Sequence, residues 1–198
     1  MPAPRTANVA TTGFLQLQDL QRDQTAVAWR IDDTLPSSDV DGVGLPRCLS
    51  GTGPLPSPAP GNSHVIVDGS GADRTFVADV PGGQVLAFET VLQLDRPNTA
   101  LLTEYLRQVA RCTRFEGGST LLVATDTRLI TGVVQARTGA LTDGSAVLLS
   151  GNRLISLSVD GNRRPTGALP IPGGQAWLAA VAATAAQRAA VGPAPGLT

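Results

Sequence analysis

The residue types with the most specific chemistry in this chain are its two cysteines, Cys48 and Cys112, and its single histidine, His64. The cysteines lie far apart in sequence, no Cys-x-x-Cys is present, and the histidine is not close to either one, so the spacing of a zinc site is missing. Two readings remain, a disulfide bond between Cys48 and Cys112 or two unrelated buried thiols, and we expect the disulfide. Because disulfides persist outside the cytosol, this pairing predicts a secreted or cell-surface protein.

Nucleophilic catalysis of the serine-hydrolase type needs a serine, a histidine and an acid, and this sequence has one histidine and no Gly-x-Ser-x-Gly turn. His64 opens a short apolar run, so we expect it to be a structural residue in a strand. The acidic residues within 32–41 lack the spacing and the closing glutamate of an EF-hand calcium loop. The sequence therefore predicts no catalytic residue, no metal site and no cofactor.

Large rings that carry a polar atom are scarce in this chain, and each could orient a ligand in a cleft. Tyr105 and Trp177 recur on apolar helical stripes, which favours a core position for both. Trp29 is less decided, because Arg30 and two acidic residues follow it directly. The residues that we predict to contact a ligand are Trp29, Arg30 and Tyr105.

Composition excludes several classes of protein. The net charge is −1 and no basic block is present, whereas binding to nucleic acid requires a clustered positive face. No apolar run has the length of a membrane span, so we expect any membrane attachment to come through a tether outside this chain. All 15 basic residues are arginine, which indicates a GC-rich genome such as that of an actinobacterium.

The clearest local pattern is a strand followed by a helix. In residues 84–94, successive side chains point to opposite faces, as they do in a strand. In 98–115, apolar residues recur every three or four positions, as they do on one face of a helix. A Gly-Asn pair at 151–152 between two apolar runs predicts a β-hairpin. Residues 175–191 form an Ala-rich amphipathic pattern. This order predicts an α+β fold, with an antiparallel sheet and the mid-chain and C-terminal helices packed on one face.

The chain divides into a flexible N-terminal tether at 1–12, one domain at 13–192 and a frayed tail at 193–198. Within the domain, residues 32–62 are rich in Asp, Pro, Ser and Gly and read as a long irregular stretch. Cys48 lies in this stretch, so a disulfide with Cys112 would hold it to the mid-chain helix. Closing a loop of this length would stabilise the fold by roughly 4 kcal/mol.

Several stretches occur in an order that resembles a known family: 14–20, the strand ending at Trp29, 45–49 and 98–112, followed by the hairpin and the Ala-rich helix. This order is similar to that of the PknH-like extracellular sensor domains of actinobacteria, which form the outer part of transmembrane serine/threonine kinases or stand-alone surface lipoproteins. The resemblance implies an α+β domain with a cleft and disulfides that senses or binds an unidentified ligand. Since this chain can form one disulfide at most, a lipoprotein or secreted relative fits better than a kinase ectodomain.

The function expected from these observations is a non-catalytic, extracytoplasmic ligand-binding or sensor domain, whose partner is a small molecule or a cell-wall component. One alternative is a small α+β enzyme of the cyclase or isomerase type that acts by enclosing its substrate; a deep apolar pocket with an isolated acid of perturbed pKa would favour it. Another alternative is a protein-interaction module, which a broad exposed apolar patch would indicate.

Overall fold

The computed structural model describes residues 13–22, 27–32, 42–44, 48–50, 64–66, 69–94, 103, 106–107, 109–112, 114–115, 118–161 and 168–191. The elements are α1 (Leu17–Leu20), β1 (Trp29–Ile31), β2 (Gly42–Gly44), β3 (Cys48–Ser50), β4 (His64–Ile66), β5 (Gly69–Val80), β6 (Gly83–Leu94), β7 (Arg114–Phe115), β8 (Thr120–Ala124), β9 (Arg128–Val134), β10 (Leu141–Ser150), β11 (Arg153–Asp160) and α2 (Gly174–Val191).

Seven strands form one antiparallel sheet in the order β1-β5-β6-β11-β10-β9-β8. The strand pairs β5–β6, β8–β9, β9–β10 and β10–β11 are consecutive in the chain, so most of the sheet is a series of hairpins. The predicted hairpin at Gly151 is present, with a φ of 58° at this glycine that a side chain would disfavour. Two short pairs, β2–β4 and β3–β7, lie apart from the main sheet. The α+β class and the antiparallel sheet are therefore confirmed.

Alternating residues of the strands supply two separate apolar clusters, and because successive side chains point to opposite faces, these clusters lie on opposite sides of the sheet. The cluster on the first side contains α1, β1 and α2. The cluster on the second side contains Leu106 and Val109, which are helical residues of the mid-chain segment. The predicted placement of both helices on one face is corrected: α2 and the mid-chain helical residues lie on opposite sides of the sheet. The sequence could not show this, because the alternation within a strand does not specify which helix covers which side.

The C-terminal helix α2 follows the predicted pattern. Its buried positions recur at helical spacing and face β10 and β11: Trp177, Leu178, Val181, Ala182, Ala185 and Ala189. At the far end of the helix, Ser150 donates a hydrogen bond to the carbonyl of Ala186 and Arg153 donates one to the carbonyl of Ala189. Ala189 lies in the last turn, so the Arg153 donor satisfies a carbonyl that a helix C-terminus leaves without an intrahelical partner, while Ser150 gives the Ala186 carbonyl a donor from the β10–β11 hairpin.

Other expectations differ from the structure or lie outside its described part. The stretch 32–62 contains strands β2 and β3 and is not wholly irregular, and residues 114–115 form β7 instead of ending the mid-chain helix. The tether at 1–12 and the tail at 193–198 fall outside the described residues, so the proposed division of the chain stays a prediction.

Candidate functional site

The three residues predicted to contact a ligand do not share one surface. Trp29 is 3% exposed and its ring stacks on Trp177, with centroids 5.5 Å apart and planes 6° from parallel. Arg30, the next residue of β1, points to the other side, where it pairs with Asp32 at 2.9 Å. Tyr105 lies outside the described residues. Trp29 is thus a core residue in this structure, and a ligand contact for Arg30 or Tyr105 stays a prediction.

The two cysteines lie on neighbouring parts of the chain. Cys48 begins β3 and is opposite Phe115 of β7, three residues beyond Cys112. Cys112 is buried, and its sulfur lies 3.0 Å from the carbonyl oxygen of Arg114. No cysteine in the described part of the chain is a free thiol. The β3–β7 pairing therefore brings the backbone of the Pro-rich stretch to the end of the mid-chain helix.

Polar side chains gather on the sheet face opposite α2, on three neighbouring strands. Ser145 of β10 lies between Ser158 of β11 and Thr131 of β9, and Asp160 lies opposite Asp143 one step further along the same two strands. Because residues two apart on a strand share a face, these side chains belong to one patch. We call it the hydroxyl face, and its members are Thr131, Asp143, Ser145, Ser156, Ser158 and Asp160.

Most of the hydroxyl face is accessible. Ser158 is exposed, Ser145 and Ser156 are half-buried, and among the described residues none accepts or donates a hydrogen bond to these three hydroxyls. Phe88 lies opposite Ser158 on β6 and is half-buried, so an aromatic side chain borders the patch. A flat polar area with open hydroxyls and a neighbouring ring can donate to, accept from and stack against a ligand.

The acidic end of the hydroxyl face has perturbed electrostatics. Burial raises the pKa of Asp143, the hydroxyl of Thr142 at 3.1 Å opposes this shift, and the nearby carboxyl of Asp160 adds to it. Two carboxyl groups that face each other across strands resist ionising together. This end of the patch therefore places carboxyl oxygens, which accept hydrogen bonds, beside the serine hydroxyls.

A second group of polar residues holds the chain segment that contains α1. The carboxyl oxygen Oε2 of Glu89 accepts a hydrogen bond from the amide of Leu15 at 2.8 Å, and Arg74 donates one to the carbonyl of Leu15 at 3.3 Å. Glu89 and Arg74 are opposite each other on β6 and β5. The guanidinium of Arg74 also lies 5.0 Å from the ring centre of Phe14, which is a cation–π distance. One cross-strand pair thus binds both backbone groups of one residue.

Glu89 is an acid with no exposed surface. Burial is the largest cause that raises its pKa, to about 8, and the Leu15 amide and Arg74 oppose that rise. Its second oxygen, Oε1, is buried without a hydrogen-bond partner in the described part of the chain. A deep apolar pocket with an isolated acid of perturbed pKa would favour the enzyme alternative. Here the carboxyl is enclosed and contacts the backbone of residues 14–20.

The C-terminal helix holds the same segment from the other side. The indole Nε1 of Trp177 donates to the carbonyl of Leu20 at 2.9 Å. Arg188 forms two hydrogen bonds to Asp19, both 2.9 Å long, and this bidentate pair is partly buried. Sequence reasoning missed this pair, because no local pattern joins residues 169 positions apart.

Side chains that could hold a metal ion do not cluster in groups of three or more within the described ranges. Among the helices of the same ranges, none has the length and hydropathy that a membrane crossing requires. His64 begins β4, so its predicted position in a strand is confirmed.

No family model matches the sequence, and no curated protein matches it either. Among solved structures, the fold is similar to that of the extracellular domain of PknH from Mycobacterium tuberculosis, with 11% sequence identity and a TM-score of 0.44. The similarity covers 93% of this chain and 97% of that domain. The comparison therefore finds a distant structural similarity to that extracellular domain.

Proposed function

We propose that this protein is a non-catalytic, extracytoplasmic ligand-binding or sensor domain, and that its ligand binds on the hydroxyl face. The observation that carries the proposal is the set of open hydroxyls on the sheet surface opposite α2, at Ser145, Ser156 and Ser158. Here three strands place hydroxyl and carboxyl groups side by side, which supports a polar recognition surface.

The ligand class that fits this surface is a carbohydrate, such as a soluble fragment of the cell wall. Sugar hydroxyls are both donors and acceptors, as are the serine hydroxyls, and the carboxyl oxygens of Asp143 and Asp160 accept hydrogen bonds. Phe88 at the border offers an apolar surface for the carbon–hydrogen side of a sugar ring. The four strands from β6 to β9 span roughly 15 Å, and two steps along a strand add about 7 Å, which is enough area for a short oligosaccharide.

The extracytoplasmic location rests on the disulfide that we propose between Cys48 and Cys112. The β3–β7 register and the absence of a free thiol among the described cysteines support it. We expect titration of the unreduced, denatured protein with a thiol reagent to detect no free thiol, and two thiols after reduction. Two thiols before reduction would contradict both the bond and the location.

Calorimetric titration with small glycans and soluble cell-wall fragments tests the binding proposal. Replacing Ser158 with leucine removes a hydroxyl and adds bulk at the centre of the patch, so the Ser158→Leu variant should bind about tenfold more weakly or worse. Thr127→Leu is a matched control, because Thr127 is exposed in the β8–β9 turn, away from the patch. We expect this control to bind like the wild type.

Three outcomes would overturn the proposal. Equal loss of affinity in both variants would place the ligand elsewhere. Binding only to lipids or to a protein would contradict the ligand class. Turnover of any substrate, lost on one polar substitution, would favour the enzyme alternative.

A further inference from the structure

Residues 14–20, which we call the N-terminal strap, are attached to the rest of the domain mainly by side chains from distant elements. Glu89 and Arg74 bind the backbone of Leu15, and Trp177 binds the carbonyl of Leu20. The strap contributes apolar residues to the first-side cluster, but it has no strand pairing with the sheet. Phe14, Leu15 and Leu20 are buried in the first-side cluster, but no sheet hydrogen bond holds the strap, so it can detach without breaking the sheet ladder.

The strap covers a carboxyl group that is poorly accommodated when ionised. Glu89 is fully buried beneath residue 15, and its Oε1 has no hydrogen-bond partner in the described ranges. An ionised carboxylate at this position loses its hydration, and one amide hydrogen bond and nearby guanidinium charge offset only part of that cost. When the strap detaches, water can reach both carboxyl oxygens of Glu89. Opening therefore stabilises the ionised carboxylate more than the protonated carboxyl.

We propose that the N-terminal strap is a proton-linked latch: it closes on the sheet when Glu89 is protonated and opens, with the remainder of the domain folded, when Glu89 ionises. The inference goes beyond ligand binding on the hydroxyl face and does not depend on it. In a sensor, such a latch would transmit a change of pH or a bound ligand to the chain that precedes residue 13.

The groups that face Glu89 come from every element packed around it. Arg74 of β5 and Arg188 of α2 favour the ionised carboxyl, and Asp19 of α1 opposes it. Burial is the largest of these effects, and it raises the pKa to about 8. The pH range that matters for the latch therefore runs from about pH 5 to pH 8. Glu89 is thus the group near the strap whose charge changes in this range.

Linkage fixes how the latch responds to pH. If Glu89 in the open state has an ordinary pKa near 4.5, opening releases a proton between that value and about 8. The opening equilibrium constant then rises by roughly tenfold per pH unit in this interval and becomes constant above it. Acid closes the latch and mild alkali opens it.

Hydrogen exchange on the full chain tests this directly, because the Leu15 amide itself binds Glu89. After correction for the intrinsic pH dependence of exchange, we expect the protection factor of the Leu15 amide to fall roughly tenfold per pH unit between about pH 5 and pH 7.5. The amide of Leu148, in the middle of the sheet, exchanges through unfolding of the whole domain, so we expect its protection factor to stay well above that of Leu15 at every pH. Tryptophan emission gives a second readout, since both tryptophans stack together and Trp177 binds the strap.

The Glu89→Gln variant removes the titrating group but keeps an oxygen that accepts the Leu15 amide, so its protection factor should not vary with pH. His64→Gln removes the one histidine, a residue type whose ordinary pKa lies in this range, and should behave like the wild type. The proposal is overturned if Leu15 and Leu148 have the same protection factor at each pH, if the wild-type protection of Leu15 is constant with pH, or if Glu89→Gln retains the wild-type slope. Should Glu89→Gln not fold, the comparison of Leu15 with Leu148 in the wild type decides the question alone.

Discussion

Glu89 is the residue with the most strongly raised pKa in the described part of the chain, and its position in β6 explains the shift. The alternation of β6 places it on the same side as Val85, Ala87 and Val91, all of them core residues. A carboxyl among apolar side chains needs a partner, and the chain supplies the Leu15 amide from 74 residues away. The alternation was visible in the sequence, whereas this partner was not, because nothing local in residues 13–20 refers to β6.

The stability of the whole domain should depend on the same group. Folding raises the pKa of Glu89 from 4.5 to about 8, so the folded protein binds more protons than the unfolded chain between these values. The free energy of unfolding therefore falls as pH rises from about 4.5 to 8 and levels off above, with a slope of at most about 1.4 kcal/mol per pH unit. Urea unfolding at several pH values measures this slope.

Two variants isolate the contribution of Glu89 to that slope. Glu89→Gln should flatten the dependence of the unfolding free energy on pH. Asp79→Asn should leave it unchanged, since Asp79 is exposed and bonds only to Gln84 at 2.8 Å. A domain that becomes more stable from pH 5 to pH 8 would show that Glu89 is ionised in the folded state.

The start of the connection from β11 to α2 is closely packed at Gly161. The amide of Gly161 donates to the carbonyl of Thr142, and its carbonyl accepts from the amide of Leu169. A Cβ at Gly161 would lie 2.2 Å from the carbonyl oxygen of Leu169 and 3.0 Å from that of Thr142. Backbone atoms cannot move aside as a side chain can, so this position requires glycine for space.

Gly161→Ala should therefore destabilise the domain by about 1–3 kcal/mol, measured by urea unfolding. Gly144→Ala is the matched comparison, because its Cβ would collide with the end of the flexible Leu178 side chain, 2.4 Å away. We expect the smaller cost at Gly144. Equal costs at both positions would mean that the β11–α2 connection adjusts as easily as a side chain does.

The predictions for the elements succeeded where a pattern was long and regular. The helix at 175–191 and the hairpin at Gly151 needed only local periodicity and a turn signal, and both are present. Strands β2, β3 and β7 were missed, because each has two or three residues and no alternation can be read over so short a run. The mid-chain helix and α2 were assigned to one face for a related reason: the apolar stripe of a helix does not name the sheet face that it covers.

For the molecule as a whole, the sheet separates two surfaces with different tasks. One face carries α1, α2 and the N-terminal strap. The other carries the mid-chain helical residues at one end and the hydroxyl face at the other. The sequence placed Ser156 and Ser158 away from the core, yet the patch itself depends on Ser145 and Asp143 from another strand, so only the register of β10 and β11 could reveal it.

This arrangement lets a ligand on one side and the strap on the other act on the same strands. Glu89 lies opposite Leu157 of β11, between Ser156 and Ser158 of the hydroxyl face. We expect a saturating glycan to change the protection factor of the Leu15 amide at constant pH. An unchanged protection factor would mean that the two surfaces are energetically independent.

The central claim is that the hydroxyl face binds a carbohydrate, and NMR titration of the labelled protein with soluble cell-wall glycan fragments tests it most directly. The account predicts saturable shifts of backbone amides in β9, β10 and β11, centred on Ser145 and Ser158, that the Ser158→Leu variant loses. Saturable shifts confined to α2 and the strap, or none with any glycan, would contradict it.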